Sequence, residues 1–88
     1  MKSIDIIVKG HVQGVGFRYH THKAASELNI SGFVKNLPDG FVFIKATGNE
    51  PELELFLNWC KQGPRLARVE KVEVTESVFE RFDGFTIR

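Results

Sequence analysis

Apolar positions along the chain repeat with two different spacings, one typical of strands and one typical of helices. Segments rich in β-branched or alternating apolar residues, bounded by glycine, proline or asparagine, predict strands. These segments are Ile4–Lys9, Gly32–Leu37, Phe41–Thr47, Val69–Thr75 and a short terminal one, Phe85–Arg88. Pro38-Asp39-Gly40 predicts a tight turn, so the second and third strands should form a hairpin.

Two further segments carry the 3.6-residue period of an amphipathic helix. The predicted apolar stripes are Phe17, Thr21, Ala24, Ala25 and Leu28 in the first helix, and Leu53, Phe56, Leu57 and Cys60 in the second. Pro51 suits the first turn of the second helix, and Gly63-Pro64 should end it. The order β-α-β-β-α-β predicts an α+β, ferredoxin-like split βαβ fold, an antiparallel sheet with both helices on one face. Since this fold hosts enzymes, RNA binders and metal chaperones, it does not decide function.

Length and charge narrow the classes of function. The 88 residues predict a single domain, 1–88, with an ordinary globular composition of 42% hydrophobic and 26% charged residues. A net charge of +1 is too small to indicate nucleic-acid binding by electrostatics alone, so an anion site would have to be local. The short apolar run Ile6-Ile7-Val8 resembles neither a signal peptide nor a membrane span, and Cys60 is the sole cysteine. We therefore expect a cytoplasmic protein without disulfides.

The loop after the first strand has the features of an anion cradle. It runs from His11 to Gly16 and leads directly into the first helix. Glycines allow successive N–H groups to point toward one place, and a helix start adds free donors and a partial positive charge. Arg18 in the first turn supplies a planar set of donors that matches phosphate oxygens. The competing interpretation is a simple glycine turn followed by a solvated arginine.

Asn36 should lie close to this cradle. The first and second strands of a split βαβ unit run parallel with the third between them, so their carboxyl ends share one rim about 10 Å apart. A carboxamide at that rim can accept a proton from water and donate to an anion at once. The alternative is a local side-chain turn before Pro38.

Two long motifs make the chain recognisable. GHVQGVGFR (Gly10–Arg18) and GFVKNLPDGFVFIKATG (Gly32–Gly48) resemble the two signatures of the acylphosphatase family. The segment Gly63–Val69 and the ending Gly84–Arg88 are also similar to the family, so the likeness covers nearly the whole chain. One position departs: His11 stands where the family usually has Arg or Lys, and we expect it to affect local packing or charge more than chemistry.

The resemblance implies hydrolysis of acyl phosphates to a carboxylate and inorganic phosphate, without a metal or cofactor. It implies that Arg18 grips the phosphoryl oxygens and that Asn36 orients the attacking water. It places the phosphate-binding groups at Gln13, Gly14, Val15, Gly16, Phe17 and Arg18. A carboxylate leaving group, with a pKa of about 4–5, needs no general acid. Phosphoryl transfer depends mainly on positioning and charge stabilisation, so a site without catalytic His or Cys is chemically sufficient.

Other interpretations of the same residues remain. RNA-recognition modules share the predicted fold and stack bases on third-strand aromatics, which Phe41 and Phe43 partly imitate. Asp39 replaces the basic residue of that motif, so we expect these rings to pack against the sheet or its edge. Family modules within larger proteins act in carbamoyl transfer, and a noncatalytic interaction domain is a third alternative.

The histidines and the cysteine have simpler explanations than chemistry. His20 and His22 lack ligand spacing and are predicted to be solvated helix residues. Cys60 belongs to an apolar stripe and is predicted to be a small core residue. The expected partner is a small acyl phosphate bound by a monomer, with no nucleic acid and no membrane.

Overall fold

The computed structural model describes residues 1–88 and contains all the predicted elements. They are β1 (Lys2–His11), α1 (Phe17–Glu27), β2 (Ser31–Asn36), β3 (Val42–Gly48), α2 (Glu50–Gln62), β4 (Arg68–Ser77) and β5 (Phe85–Ile87). The prediction of five strands and two helices is confirmed. The largest difference is in β1, which extends two residues beyond the predicted segment at each end, because its backbone pairs with β3 from Lys2 onward and with β4 as far as His11.

The five strands form one sheet in the order β4-β1-β3-β2-β5. The first four strands pair antiparallel, with β3 between β1 and β2 as predicted. The fifth strand pairs parallel with β2, so the sheet as a whole is mixed rather than purely antiparallel. After β4 the chain crosses from one edge of the sheet to the other. There β5 begins alongside the start of β2, and the Gly32 N–H donates to the Gly84 carbonyl oxygen 3.0 Å away. The new strand therefore runs in the same direction as its neighbour.

One face of the sheet carries the core and both helices. Alternate residues of β1, namely Ile4, Ile6 and Val8, are buried, as the two-residue period of a strand requires. Phe17 of α1 and Phe56 of α2 are also almost completely buried against this face. Because α1 packs on β2 and β5, its first turn lies near the carboxyl end of β2. This packing brings the helix start toward Asn36.

The ends of both helices follow local sequence signals. Gly16 caps α1 with φ 77°, and Asn29 follows the helix with φ 57°. The second helix has Pro at its start, Glu50 and Glu52 in the first turn and Lys61 in the last, which complements the helix dipole. Neither helix has the length and apolar character needed to cross a membrane.

The opposite face of the sheet holds a small aromatic cluster. The Phe33 ring centroid lies 5.8 Å from that of Phe43 and 5.9 Å from that of Phe82. Phe41 and Phe43 are half-buried, which agrees with the expectation that they pack against the sheet.

Candidate active site

The loop between β1 and α1 is shaped by two glycines with left-handed backbone. Gly14 has φ 75° and Gly16 has φ 77°, a region that residues with a Cβ enter only with strain. No hydrogen bond within the chain uses the main-chain N–H groups of residues 13–19. Loops and turns with left-handed residues form concave sets of N–H groups that bind anions, and the start of α1 adds its partial positive charge. The loop therefore provides a cradle of free donors.

Arg18 lies in the first turn of α1 and is half-buried. Its Nη1 donates to the main-chain oxygen of Arg88, 2.9 Å away, just beyond β5. The guanidinium is thus held by one hydrogen bond at the pocket edge. Since a guanidinium has five N–H donors, donors remain for an anion.

Asn36 is the last residue of β2 and its side chain makes no hydrogen bond within the chain. The Oδ1 atom is buried and without a partner. The alternative of a side-chain turn before Pro38 is not seen, because Asp39 forms the turn instead: Phe41 N–H donates to its Oδ1 at 3.1 Å. A buried polar atom without a partner costs about 1–3 kcal/mol, which calls for a bound water or ligand.

These groups line one pocket of about 250 Å³. Its lining residues are Val12, Gly14, Gly16, Phe17, Arg18, Tyr19, Asn36 and Ile87. The structure therefore brings the predicted residues Gly14, Gly16, Phe17, Arg18 and Asn36 together. The lining of this pocket includes no Asp or Glu, and its one charged side chain is that of Arg18.

The side chains of Gln13 and Val15 lie elsewhere. Gln13 Nε2 donates to the carbonyl oxygens of Leu37 at 2.8 Å and Phe41 at 2.9 Å, which ties the cradle loop to the β2–β3 turn. Val15 packs against the hydrophobic core. Both residues can therefore contribute to anion binding only through their main-chain N–H groups.

Sequence reasoning missed three lining residues, Val12, Tyr19 and Ile87. Tyr19 follows Arg18 directly, and its position on the exposed side of the predicted helix was a usable signal. Ile87 lies beside β2 only because β5 pairs with that strand, and no local pattern predicts this pairing. His11, the position that departs from the family signature, is exposed opposite Arg68 and lies outside the pocket.

The remaining titratable candidates do not line the pocket. His20 is exposed as predicted, whereas His22 is only partly solvated: it is half-buried, with its ring centroid 6.3 Å from that of Phe85. Cys60 is completely buried in the core, and this burial raises the pKa of its thiol well above the usual range. The thiol therefore stays protonated and unreactive. No three or more His, Cys, Asp or Glu side chains are grouped so as to hold a metal ion.

The chain is similar to known proteins in both sequence and fold. The family model of acylphosphatase matches residues 4–87. The acylphosphatase of Thermus thermophilus is 57% identical over 87 residues, covering 99% of this chain and 99% of that relative. The crystal structure of acylphosphatase from Bacillus subtilis superposes with a TM-score of 0.97 at 42% identity, covering 100% of this chain and 99% of that chain.

A part of a larger protein is also similar. The structure of HypF from T. kodakarensis matches with a TM-score of 0.83 and 41% identity over 99% of this chain but only 12% of that one. The family model and the Thermus relative, by contrast, match nearly end to end. On this evidence the chain belongs to the acylphosphatase family of enzymes, which hydrolyse acyl phosphates.

Proposed function

We propose that this acylphosphatase works without a metal ion, by attack of a water molecule on phosphorus. One observation supports this mechanism most directly. The free N–H groups of the glycine loop, the guanidinium of Arg18 and the unpaired carboxamide of Asn36 converge on one pocket. Hydrogen-bond donors and an unpaired acceptor are the two kinds of group that this reaction needs.

The donors bind the transferring phosphoryl group. Main-chain N–H groups of residues 13–18 and the Arg18 guanidinium surround its oxygens and neutralise their charge. The loose transition state spreads its charge over those oxygens, so preorganised donors and correct positioning supply most of the catalysis. The positive field comes from the chain itself, and the lining offers no carboxylate of the kind that holds Mg²⁺ at phosphate sites.

Asn36 holds the nucleophile. Its buried Oδ1 accepts a hydrogen bond from the water and turns the oxygen lone pair toward phosphorus. The bond from the water oxygen to phosphorus forms while the bond from phosphorus to the acyl oxygen breaks. The electron pair of the broken bond leaves with the carboxylate, and a water proton passes to phosphate. Because a carboxylate is a weak base, its departure needs no general acid.

Hydrolysis of benzoyl phosphate in ¹⁸O-labelled water, with and without EDTA, tests both parts of the mechanism. The expected result is chelator-insensitive turnover with the label in inorganic phosphate. Label in benzoate would show attack on the carbonyl carbon, and activity lost to EDTA and restored by a divalent cation would contradict metal independence.

The monomer should be sufficient for activity, because the glycine loop, Arg18 and Asn36, the groups that the mechanism uses, all meet within one copy of the chain. Size-exclusion chromatography with light scattering at the assay concentration should give a mass near 10.0 kDa. Activity confined to a larger species would contradict this.

A further inference from the structure

The active-site pocket has an apolar wall beside its polar cradle. Tyr19 and Ile87 both line it, and they remain 62% and 45% exposed. Tyr19 comes from the first turn of α1 and Ile87 from β5, so two separate elements contribute to this wall. Exposed apolar side chains are common singly, but two that meet at one pocket form a surface that a ligand can cover.

Neither side chain has a role in the chemistry proposed above. Phosphate binding uses N–H groups and Arg18, and water binding uses Asn36. Both side chains lie outside the hydrophobic core and are exposed, so they contribute little to the stability of the fold. A pocket with polar groups at one part and apolar groups at another fits a ligand divided in the same way. An acyl phosphate is such a ligand, charged at the phosphoryl end and neutral at the acyl end.

We propose that Tyr19 and Ile87 form the contact surface for the acyl group and give the enzyme a preference for acyl phosphates with aromatic or branched apolar acyl groups. This inference rests on the proposed function, because it places the phosphoryl group in the cradle. An apolar acyl group covers both side chains and gains the free energy of removing apolar surface from water. An acetyl group is too small to cover both.

The test compares kcat/KM for benzoyl phosphate with kcat/KM for acetyl phosphate. We expect Tyr19→Ala and Ile87→Ala each to lower this ratio about threefold to tenfold. This is at or below the low end of the roughly 10-fold to 200-fold range for a lost apolar contact in a closed pocket, because the surface is partly exposed. Tyr19→Phe keeps the ring and should retain the ratio. Leu55→Ala is the matched control, since Leu55 is 56% exposed on α2 and lies outside the pocket.

Several outcomes would overturn the inference. An unchanged ratio in both alanine variants would show that these side chains do not contact the acyl group. A parallel loss for both substrates would indicate damage to the phosphate cradle instead. A Tyr19→Phe variant as impaired in the ratio as Tyr19→Ala would assign the preference to the hydroxyl and not to apolar contact.

A binding experiment separates this inference from the proposed function. Benzylphosphonate and methylphosphonate cannot be hydrolysed by this route, and calorimetry gives their dissociation constants. We expect the wild type to bind benzylphosphonate more tightly and Tyr19→Ala to reduce that advantage. If acyl phosphates are not hydrolysed, the proposed function fails, yet this binding preference would still support the apolar surface. Equal binding of the two phosphonates would refute it.

Discussion

Arg18 Nη1 donates a hydrogen bond to the main-chain oxygen of Arg88 across 2.9 Å, so the residue that follows β5 holds the guanidinium at the pocket. The Arg88 main chain is itself held, because its N–H donates to the Val34 carbonyl oxygen 2.8 Å away, and its guanidinium lies 3.7 Å from the centroid of the Phe33 ring. An arginine side chain otherwise samples many rotamers. Fixing it beforehand lowers the entropy lost when substrate binds.

Arg18→Ala should lower kcat/KM for benzoyl phosphate by about 30-fold to 4000-fold, because losing a desolvated charge partner typically costs about 2–5 kcal/mol. Arg18→Lys should recover only part of the activity, since an ammonium lacks the planar set of donors. Steady-state kinetics gives both values. Arg65→Ala, which removes an exposed arginine outside the pocket, is the control. Near wild-type turnover in Arg18→Ala would remove Arg18 from the mechanism.

Asn36→Ala should lower kcat by about 10²-fold to 10³-fold, the usual cost of deleting one preorganised hydrogen-bonding group. The inhibition constant of inorganic phosphate should change little, because the cradle remains. The free energy of unfolding should not fall, since the carboxamide has no hydrogen bond within the chain to lose. Kinetics, phosphate inhibition and urea unfolding measure the three effects, with exposed Asn58→Ala as control. A weaker phosphate affinity with unchanged kcat would contradict a role in water orientation.

Gln13→Ala should impair both stability and activity, since the Gln13 amide ties the cradle loop to the turn after Asn36. Two lost hydrogen bonds should lower the unfolding free energy by about 1–3 kcal/mol. Looser positioning of the loop should also lower kcat at saturating substrate. If Gln13 had a purely structural role, kcat would not change at temperatures where the variant is still folded. Gln62→Ala, at the exposed end of α2, is the matched control. Unchanged kcat would restrict Gln13 to a structural role.

Gly32→Ala should be severely destabilising. A Cβ at Gly32, where φ is 137°, would lie 1.9 Å from the Lys45 carbonyl oxygen. Strain and overpacking together predict a loss of about 3 kcal/mol or more. Gly84 has a positive φ of 78° but open space around it, so Gly84→Ala isolates the backbone strain at about 1–2 kcal/mol. Thermal or urea unfolding compares the two variants, and equal losses would show that the close contact relaxes.

Burial of Cys60 should make stability fall in alkaline solution. The folded thiol has a raised pKa, whereas the unfolded thiol ionises near pH 8.5. Above that pH the unfolded state binds fewer protons than the folded state, so the unfolding free energy should fall by up to about 1.4 kcal/mol per pH unit. Urea unfolding between pH 7 and 10 should show this slope, and Cys60→Ala should lack it. The same slope in both proteins would assign the effect to other groups.

Local signals in the amino-acid sequence were sufficient for the elements, their order and the glycine loop before α1. Apolar periodicity predicted every helix and strand, because burial on one face selects side chains every 2 or 3.6 residues. Gly14, Gly16 and Arg18 lie close together in the chain, so their placement in one loop and helix start could be predicted from neighbouring positions. The parallel order of β1 and β2 even brought Asn36 to the same rim.

Contacts between distant segments were decided only by the tertiary structure. The partners of the Gln13 amide, the position of Arg88 beside Arg18 and the apolar wall of Tyr19 and Ile87 all depend on how strands pair and helices dock. The same is true of the unpaired state of Asn36, which could equally have formed a local turn. Such contacts are selected when all the elements pack around one hydrophobic core. The local sequence pattern does not specify them, because the same pattern is compatible with many different contacts. The sequence alone therefore determines which groups are available, and the packed fold determines which of them meet.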